Sequence, residues 1–210
     1  MINDTERQQI IALVKREVVP AIGCTEPIAV ALCVAKATET LGVRPEKVSA
    51  WLSANILKNA MGVGIPGTGM IGLPIAIALG VLIGKSEYQL EVLKDCTPAA
   101  VEAGKCFIDE KRISIALKPD ISEKLYIEVC CEAGQDHATA VIAGGHTSFV
   151  YVARNGNVLL DKQAVGGDEE EETVPELTLR KVFDFARTTP LYEIRFILDT
   201  ARLNKAAAEQ

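Results

Sequence analysis

The sequence predicts an α+β fold in which helices pack on an antiparallel sheet of about four to five strands. Segments with helical composition dominate residues 1–110, whereas residues 111–165 alternate apolar and polar positions with the period of two that strands show. Gly144-Gly145 and Asn155-Gly156 are two-residue hairpin signals between neighbouring runs. These signals predict that consecutive strands in the second region run antiparallel.

The sequence of residues 1–110 predicts four helices, one short strand and a short helical piece. Residues 1–19 mix charges into an apolar period of three to four, which indicates an amphipathic helix and not a signal peptide. Three further helices are expected: one that ends at Gly42, a natural C-cap, one after Gly72 and one across Thr97 to Asp109. Between Gly42 and Gly72, Val48, Ala50 and Leu52 alternate as in a strand, and a short helical piece with Lys58 and Asn59 follows. Next comes the sequence GVGIPGTG, residues 62–69, which predicts a loop too rich in glycine for regular structure.

The second and third regions predict strands and then helices. The strand segments read RISIAL, KLYIEVCCE, HATAVIA, HTSFVYVA and NVLLD. Gly166 to Glu172 predicts a solvated acidic linker, because clustered like charges repel one another. Thr173 to Glu176 forms a capping-box pattern that opens a helix to about Arg187, and Pro190 begins another. We expect the parts 1–110, 111–165 and 166–210 to form one compact unit.

Composition argues against two classes of partner. The formal charge of -6 argues against nucleic acid, since binding phosphates requires clustered Lys and Arg. Ala60 to Gly84 carries no charge, but glycines and prolines interrupt its first half, so we expect a buried helix and no membrane span. We therefore expect a cytoplasmic protein, and the sequence leaves a homo-oligomer open.

The six cysteines and two histidines give no metal site by spacing alone. No C-x-x-C pair occurs, and a cytoplasmic chain should keep its thiols reduced. Cys130 and Cys131 point to opposite faces of a strand and should serve packing. His137 and His146 flank a predicted hairpin, where a structural role is the simpler interpretation.

The segment AIGCTEP, Ala21 to Pro27, carries the most suggestive chemistry. Cys24 or Thr25 can be the N-cap of the helix that ends at Gly42, with Glu26 near the positive end of the helix dipole. Cys24 is then either a packing residue or a reactive thiol, because a helix N-terminus lowers the pKa of a thiol. Glu26 would partly oppose that effect. Lys58, beside the glycine-rich loop, either binds an anion or is merely solvated.

Three segments together resemble the amino-terminal half of the L-cysteine desulfidase family, which is related to iron-sulfur L-serine dehydratases. They are AIGCTEPIAVA, SANILKNAMGVGIPGTGMIGLPIAIALG and GGHTSFVYV. The resemblance implies α,β-elimination from L-cysteine to sulfide, ammonia and pyruvate, with a four-iron, four-sulfur cluster as cofactor. It also implies that Cys24 is the one cluster ligand of this half, with an open iron acting as a Lewis acid.

The resemblance, with proximity to the motif, suggests the other site residues. Lys58, Asn59 and Glu26 are candidates for catalysis. Thr25, Ser53, Gly67 and Thr68 are candidates for binding the substrate carboxylate.

The same resemblance implies a missing part. The family places its remaining cluster ligands in a carboxy-terminal domain, which a further segment or a partner subunit would have to supply; Cys96 and Cys106 lack the expected context. Two alternatives stay open: a subunit of an L-serine dehydratase, and a non-catalytic module that senses an amino acid through His137 and His146.

Overall fold

The computed structural model describes residues 2–162 and 175–209. The chain divides into two compact units. We call the described residues of Ala21–Gly166 the central unit, and those of Met1–Pro20 and Gly167–Gln210 the terminal unit. The predicted acidic linker, Gly166 to Glu172, lies outside the described residues, as does Thr173 of the predicted capping box.

The central unit contains four α-helices, a 3-10 segment and eight strands among its described residues. The helices are α2 (Thr25–Leu41), α3 (Ala54–Ala60), α4 (Leu73–Leu82) and α5 (Pro98–Asp109), and the 3-10 segment is Ser86–Glu91. The strands are β1 (Lys47–Leu52), β2 (Gly64–Ile65), β3 (Met70–Ile71), β4 (Ile113–Leu117), β5 (Tyr126–Ala133), β6 (Asp136–Ala143), β7 (Phe149–Arg154) and β8 (Asn157–Asp161).

The main sheet confirms the α+β class but corrects the predicted sheet. It has six strands in the order β4-β1-β5-β6-β7-β8. Strand β1 pairs parallel with β4 and antiparallel with β5, so the sheet is mixed and not purely antiparallel. The strand from the first region lies between two strands of the second. The predicted turn at Asn155-Gly156 is confirmed, with φ angles of 51° and 78° that suit a tight hairpin.

Helix α2 forms the middle of the core. It contacts β5 and β6 on one side and α4 on another, which explains why eleven of its seventeen residues are buried. Gly80 of α4 permits a close approach, since a Cβ there would lie 2.7 Å from the carbonyl oxygen of Ala31. The helix ends at Gly42 in the left-handed conformation, as predicted.

One local prediction was wrong in the glycine-rich loop. The glycine-rich segment contains a small hairpin, in which β2 pairs antiparallel with β3. The hydroxyl of Thr68 stabilises its turn by donating to the carbonyl of Ile65 at 2.6 Å and accepting from the N–H of Met70 at 3.0 Å. A side-chain hydrogen bond thus supplies the order that composition alone did not indicate.

The terminal unit consists of α1 (Asp4–Glu17), α6 (Leu179–Thr188) and α7 (Ile197–Ala208). The last helix starts seven residues later than predicted, because tight turns occupy the stretch after Pro190. Helix α6 likewise begins at Leu179 behind the N-cap Thr178. Among the described residues, no helix is both long and apolar enough to cross a membrane.

Candidate functional site

The candidate site lies at the start of α2, where Cys24 occupies the N-cap position. The Cys24 backbone is extended, with φ −67° and ψ 133°, but its side chain makes no capping hydrogen bond. Instead the Sγ atom donates to Oε2 of Glu26 at 2.9 Å. The thiol is therefore held by a carboxylate and is only partly buried.

Glu26 is the centre of a small polar cluster. Its Oε2 also accepts from the hydroxyl of Thr25 at 3.3 Å, and its Oε1 accepts from Nδ2 of Asn59 at 3.3 Å. Asn59 belongs to the last turn of α3, so the carboxylate joins the start of α2 to the end of α3. We call Cys24, Thr25, Glu26 and Asn59 the thiol-carboxylate cluster.

The cluster shifts both of its titratable groups. Partial burial, and then the hydrogen bond to Glu26, raise the pKa of the Cys24 thiol. The hydrogen bond from Cys24 is the main cause that lowers the pKa of Glu26, and those from Asn59 and Thr25 add to it. At neutral pH the cluster therefore holds a protonated thiol against a charged carboxylate. The lowered thiol pKa expected from the helix N-terminus is not found, because burial and Glu26 outweigh it.

The glycine-rich hairpin packs against the residues that precede Cys24. Gly23 has a φ of +75°, and a Cβ there would lie 2.8 Å from Cγ of Pro66. On its other side, the N–H of Ile22 donates to the carbonyl of Leu90 at 3.1 Å. Glycine is required at position 23 both by the left-handed backbone and by this close approach. The segment before Cys24 is thus positioned by two other elements.

Ser53 and Asn59 occupy opposite ends of α3. Ser53 is buried and is the N-cap, and Asn59 lies six positions later, which is about 9 Å of helical rise. Its hydroxyl donates to the carbonyl of Lys124 at 2.8 Å. The observed contacts of Ser53 therefore connect α3 to the segment before β5.

The remaining substrate-binding candidates lie around the hairpin. Thr68 is buried, and its hydroxyl makes the turn contacts described above. Gly67 is exposed, with a φ of +77° and open space where a Cβ would stand. Lys58 is exposed in the last turn of α3, next to Asn59 in sequence. Of these, Gly67 and Lys58 are accessible to a ligand from solvent.

The other cysteines do not join Cys24. Cys33 and Cys131 are fully buried in the core, and burial raises the pKa of Cys131 to about 12. Cys130 lies on the opposite face of β5 from Cys131, as expected. In the part of the chain that the structure describes, no group of three or more His, Cys, Asp or Glu side chains could hold a metal ion. A cluster bound at Cys24 would need its other ligands from elsewhere.

The two histidines lie near opposite ends of β6. His137 is exposed near the start of β6, and His146 follows the end of that strand in the loop to β7. The six residues from His137 to Ala143 span roughly 20 Å in a strand. One amino-acid ligand could not contact both, so a sensing site would use one of them.

One feature near the site carries no signal in the sequence. Gln89 adopts φ 52° and ψ −126°, a conformation that non-glycine residues rarely take. It precedes Leu90, whose carbonyl anchors Ile22. Glutamine is not a residue type that sequence patterns associate with such a backbone, so only the coordinates reveal it.

Fold and site together define an α+β protein with a thiol-carboxylate cluster at a helix N-terminus. The chain is similar to a UPF0597 protein of Bacteroides fragilis, with 76% identity over 207 residues, which are 99% of this chain and 48% of that protein. A UPF0597 protein of Bacteroides thetaiotaomicron is 74% identical over 207 residues, with the same coverage. One of Aeromonas hydrophila is 43% identical over 203 residues, covering 95% of this chain and 46% of that protein.

The matched region is only part of each relative. The chain spans about half the length of the curated relatives it matches. Their shared name states no activity, substrate or cofactor. No family model matches the chain, and no solved structure matches it.

Proposed function

We propose that this chain is the amino-terminal part of an iron-sulfur lyase that converts L-cysteine and water to sulfide, ammonia and pyruvate. The observation that carries the proposal is the thiol-carboxylate cluster beside the glycine-rich hairpin. It combines an accessible thiol, a charged carboxylate and an amide at one helix start. A cysteine kept only for packing, such as Cys33, has no need of these polar neighbours.

Cys24 fits the role of one ligand of a four-iron, four-sulfur cluster. Cys24 is partly exposed and would give one thiolate, while the remaining ligands would come from outside the described residues. Such a cluster would supply an iron that acts as a Lewis acid toward the leaving thiolate. The relatives are about twice as long as this chain, which is consistent with a second polypeptide part that supplies those ligands.

The chain's own residues would then have distinct tasks. Binding of iron to Cys24 requires loss of the thiol proton, which can leave along the 2.9 Å hydrogen bond to Glu26. Asn59 holds the other oxygen of Glu26 and keeps the carboxylate oriented. Since the pKa of Glu26 is lowered, its carboxylate would pass that proton on to solvent and return to the charged form.

Elimination also requires a base for the α-proton and a cradle for the substrate carboxylate. Lys58, exposed and adjacent to Asn59 in sequence, is our candidate for the base. Thr25 and the open backbone at Gly67 would receive the carboxylate, with Ser53 and Thr68 keeping α3 and the hairpin in place. The Cα–H and Cβ–S bonds break, a C=C bond forms, and water converts the resulting enamine, through its imine, to pyruvate and ammonia. We place this reaction in the cytoplasm.

Anaerobic reconstitution tests the proposal. The chain is incubated with iron and sulfide, alone and together with the part of the Bacteroides fragilis relative that lies outside the match. We expect a stable cluster and sulfide release from L-cysteine only in the combined sample, and loss of both in Cys24→Ser. The exposed Cys106 provides the matched control, because Cys106→Ser should leave both unchanged. A Cys24→Ser protein with a full cluster would refute the ligand role.

The same assay addresses the alternatives. An L-serine dehydratase subunit would release ammonia from L-serine in preference to L-cysteine, whose thiol differs from the serine hydroxyl by a single atom. A sensing module would bind an amino acid without any turnover. No observation in the structure favours either alternative over the lyase.

A further inference from the structure

The terminal unit exposes an unusual amount of apolar surface. Among the described residues, nine of the 17 exposed large hydrophobic side chains lie between positions 177 and 203. Leu179 is 91% exposed, Leu191 82% and Tyr192 80%. The other six are Leu177, Val182, Phe183, Ile197, Leu198 and Leu203. Single exposed apolar residues are normal, but such a concentration indicates an interaction surface.

Part of this surface is concave. An apolar groove of about 550 Å³ is lined by Leu191, Tyr192, Ile194, Arg195, Ile197 and Leu198. A second depression of about 360 Å³ adjoins it along α7 and shares Arg195 and Leu198 with the first. We call the nine exposed side chains and the groove the terminal apolar surface. A groove with an apolar floor and an arginine at its rim suits a polypeptide partner.

The terminal unit buries little on its own. Its buried hydrophobic core consists of Ile10, Ile11 and Phe185. The hydroxyl of Thr189 in this unit is buried and has no hydrogen-bond partner among the described residues. A core of three residues gives little stability, so additional burial against another surface would be favourable.

The lengths of the relatives indicate which polypeptide supplies that burial. The Bacteroides fragilis relative is 76% identical across 99% of this chain, and those 207 residues are only 48% of its length. The remaining half of that relative therefore accompanies a segment nearly the same as this one. We propose that the terminal apolar surface is the docking site for that other half. The proposal does not depend on the lyase chemistry.

Co-expression tests the docking site. The tagged 210-residue chain is co-expressed with an untagged polypeptide that comprises the part of the Bacteroides fragilis relative outside the match. We expect the two to co-purify as a one-to-one complex. The double variant Leu191→Asp with Tyr192→Ser should weaken the complex at least about tenfold, since apolar anchors dominate interfaces. Both side chains are exposed, so the variant should fold, which circular dichroism of the isolated chain checks.

A matched control uses an apolar residue outside this surface. Leu159 on the edge strand β8 is 60% exposed in the central unit, and Leu159→Asp should leave the complex unchanged. The proposal is overturned if the second polypeptide does not co-purify, or if the double variant binds it as tightly as the wild-type chain. Concentration-dependent dimers of the 210-residue chain that the double variant abolishes, without any complex, would identify a second copy as the occupant instead.

Discussion

The central and terminal units differ in the balance between buried and exposed apolar surface. In the central unit, 34 buried residues form one core around α2. In the terminal unit, three buried residues form the core, and 11 of the 17 exposed large hydrophobic side chains among the described residues lie in this unit. Since hydrophobic stabilisation scales with the area removed from water, the central unit should be self-sufficient and the terminal unit should not.

The comparison also separates the two proposals. The thiol-carboxylate cluster is built on α2 and α3, whose packing lies within the central unit. The docking site belongs to the terminal unit. A failure of docking would therefore leave the geometry at Cys24 intact, and loss of Cys24 would leave the docking surface intact.

The largest expected effect contrasts equal substitutions in the two units. Leu32→Ala, at a fully buried position of α2, should lower the free energy of unfolding by about 2–5 kcal/mol, because it removes buried methyl groups and leaves a cavity. Leu191→Ala, at a position 82% exposed, should change it by less than about 0.5 kcal/mol. Urea unfolding followed by circular dichroism measures both. Similar losses for the two variants would contradict the comparison.

The second prediction concerns independent unfolding of the terminal unit. Trp51 is the single tryptophan and lies in β1, so its fluorescence reports on the central unit. Phe185→Ala should cost about 3 kcal/mol locally and melt terminal helices while Trp51 fluorescence stays native. Circular dichroism and fluorescence would then give transitions that do not coincide. Coincident transitions in this variant would show that the two units unfold together.

A smaller effect tests how tightly the central core is packed. Gly80→Ala should destabilise the chain by about 1–3 kcal/mol, because its Cβ would lie 2.7 Å from the backbone carbonyl oxygen of Ala31 and force α2 and α4 apart. Ala78→Gly, two positions away on the same helix, introduces no clash. It should lower the free energy of unfolding by about 1 kcal/mol through helix propensity and lost burial. Thermal unfolding of both variants compares them. An unchanged melting temperature for Gly80→Ala would mean that the helices can separate at no cost.

The smallest effect concerns the charge at the site. Glu26→Gln removes the negative charge beside Cys24, so the thiol pKa should fall and alkylation by iodoacetamide at neutral pH should accelerate about threefold. Burial remains in the variant, which limits the change. Alkylation of Cys106 in the same sample gives the internal reference. A slower reaction at Cys24 would reverse the assigned role of Glu26.

The pH dependence of stability follows from the same pair. The folded-state pKa of Glu26 is lowered, so its contribution to stability is present above its unfolded pKa and is lost as pH falls through the folded value. The pKa of Cys24 is raised, so its contribution is present below the unfolded value and is lost as pH rises toward the folded one. The wild-type chain should therefore lose more stability on acidification than Glu26→Gln does.

Local patterns predicted most individual elements but not their pairing. The alternation at Val48, Ala50 and Leu52 indicated a strand, yet nothing local shows that it pairs parallel with Ile113–Leu117 more than 60 residues later. The start of α7 at Ile197 was missed because the turns after Pro190 depend on backbone hydrogen bonds that proline alone does not specify. Pairing and turn closure are non-local or geometric, and periodicity does not report them.

The candidate site shows the same limit. Sequence reasoning selected Cys24, Glu26 and Asn59, but only the packing of α3 against α2 brings Asn59 to the carboxylate, 33 positions from it in sequence. The sequence leaves Cys24 open between a packing residue and a reactive thiol, because the burial that raises its pKa cannot be judged from the helix position. Ser53 is a candidate by proximity in sequence, whereas α3 places it six positions, or about 9 Å of helical rise, from Asn59.

Protection of Cys24 from alkylation tests the central claim most directly. The chain is combined with the second part of the Bacteroides fragilis relative, reconstituted anaerobically with iron and sulfide, treated with iodoacetamide and analysed by mass spectrometry; a sample without iron serves as the control. We predict that iron protects Cys24 while Cys106 reacts equally in both samples. Equal labelling of Cys24 with and without iron would contradict its role as a cluster ligand.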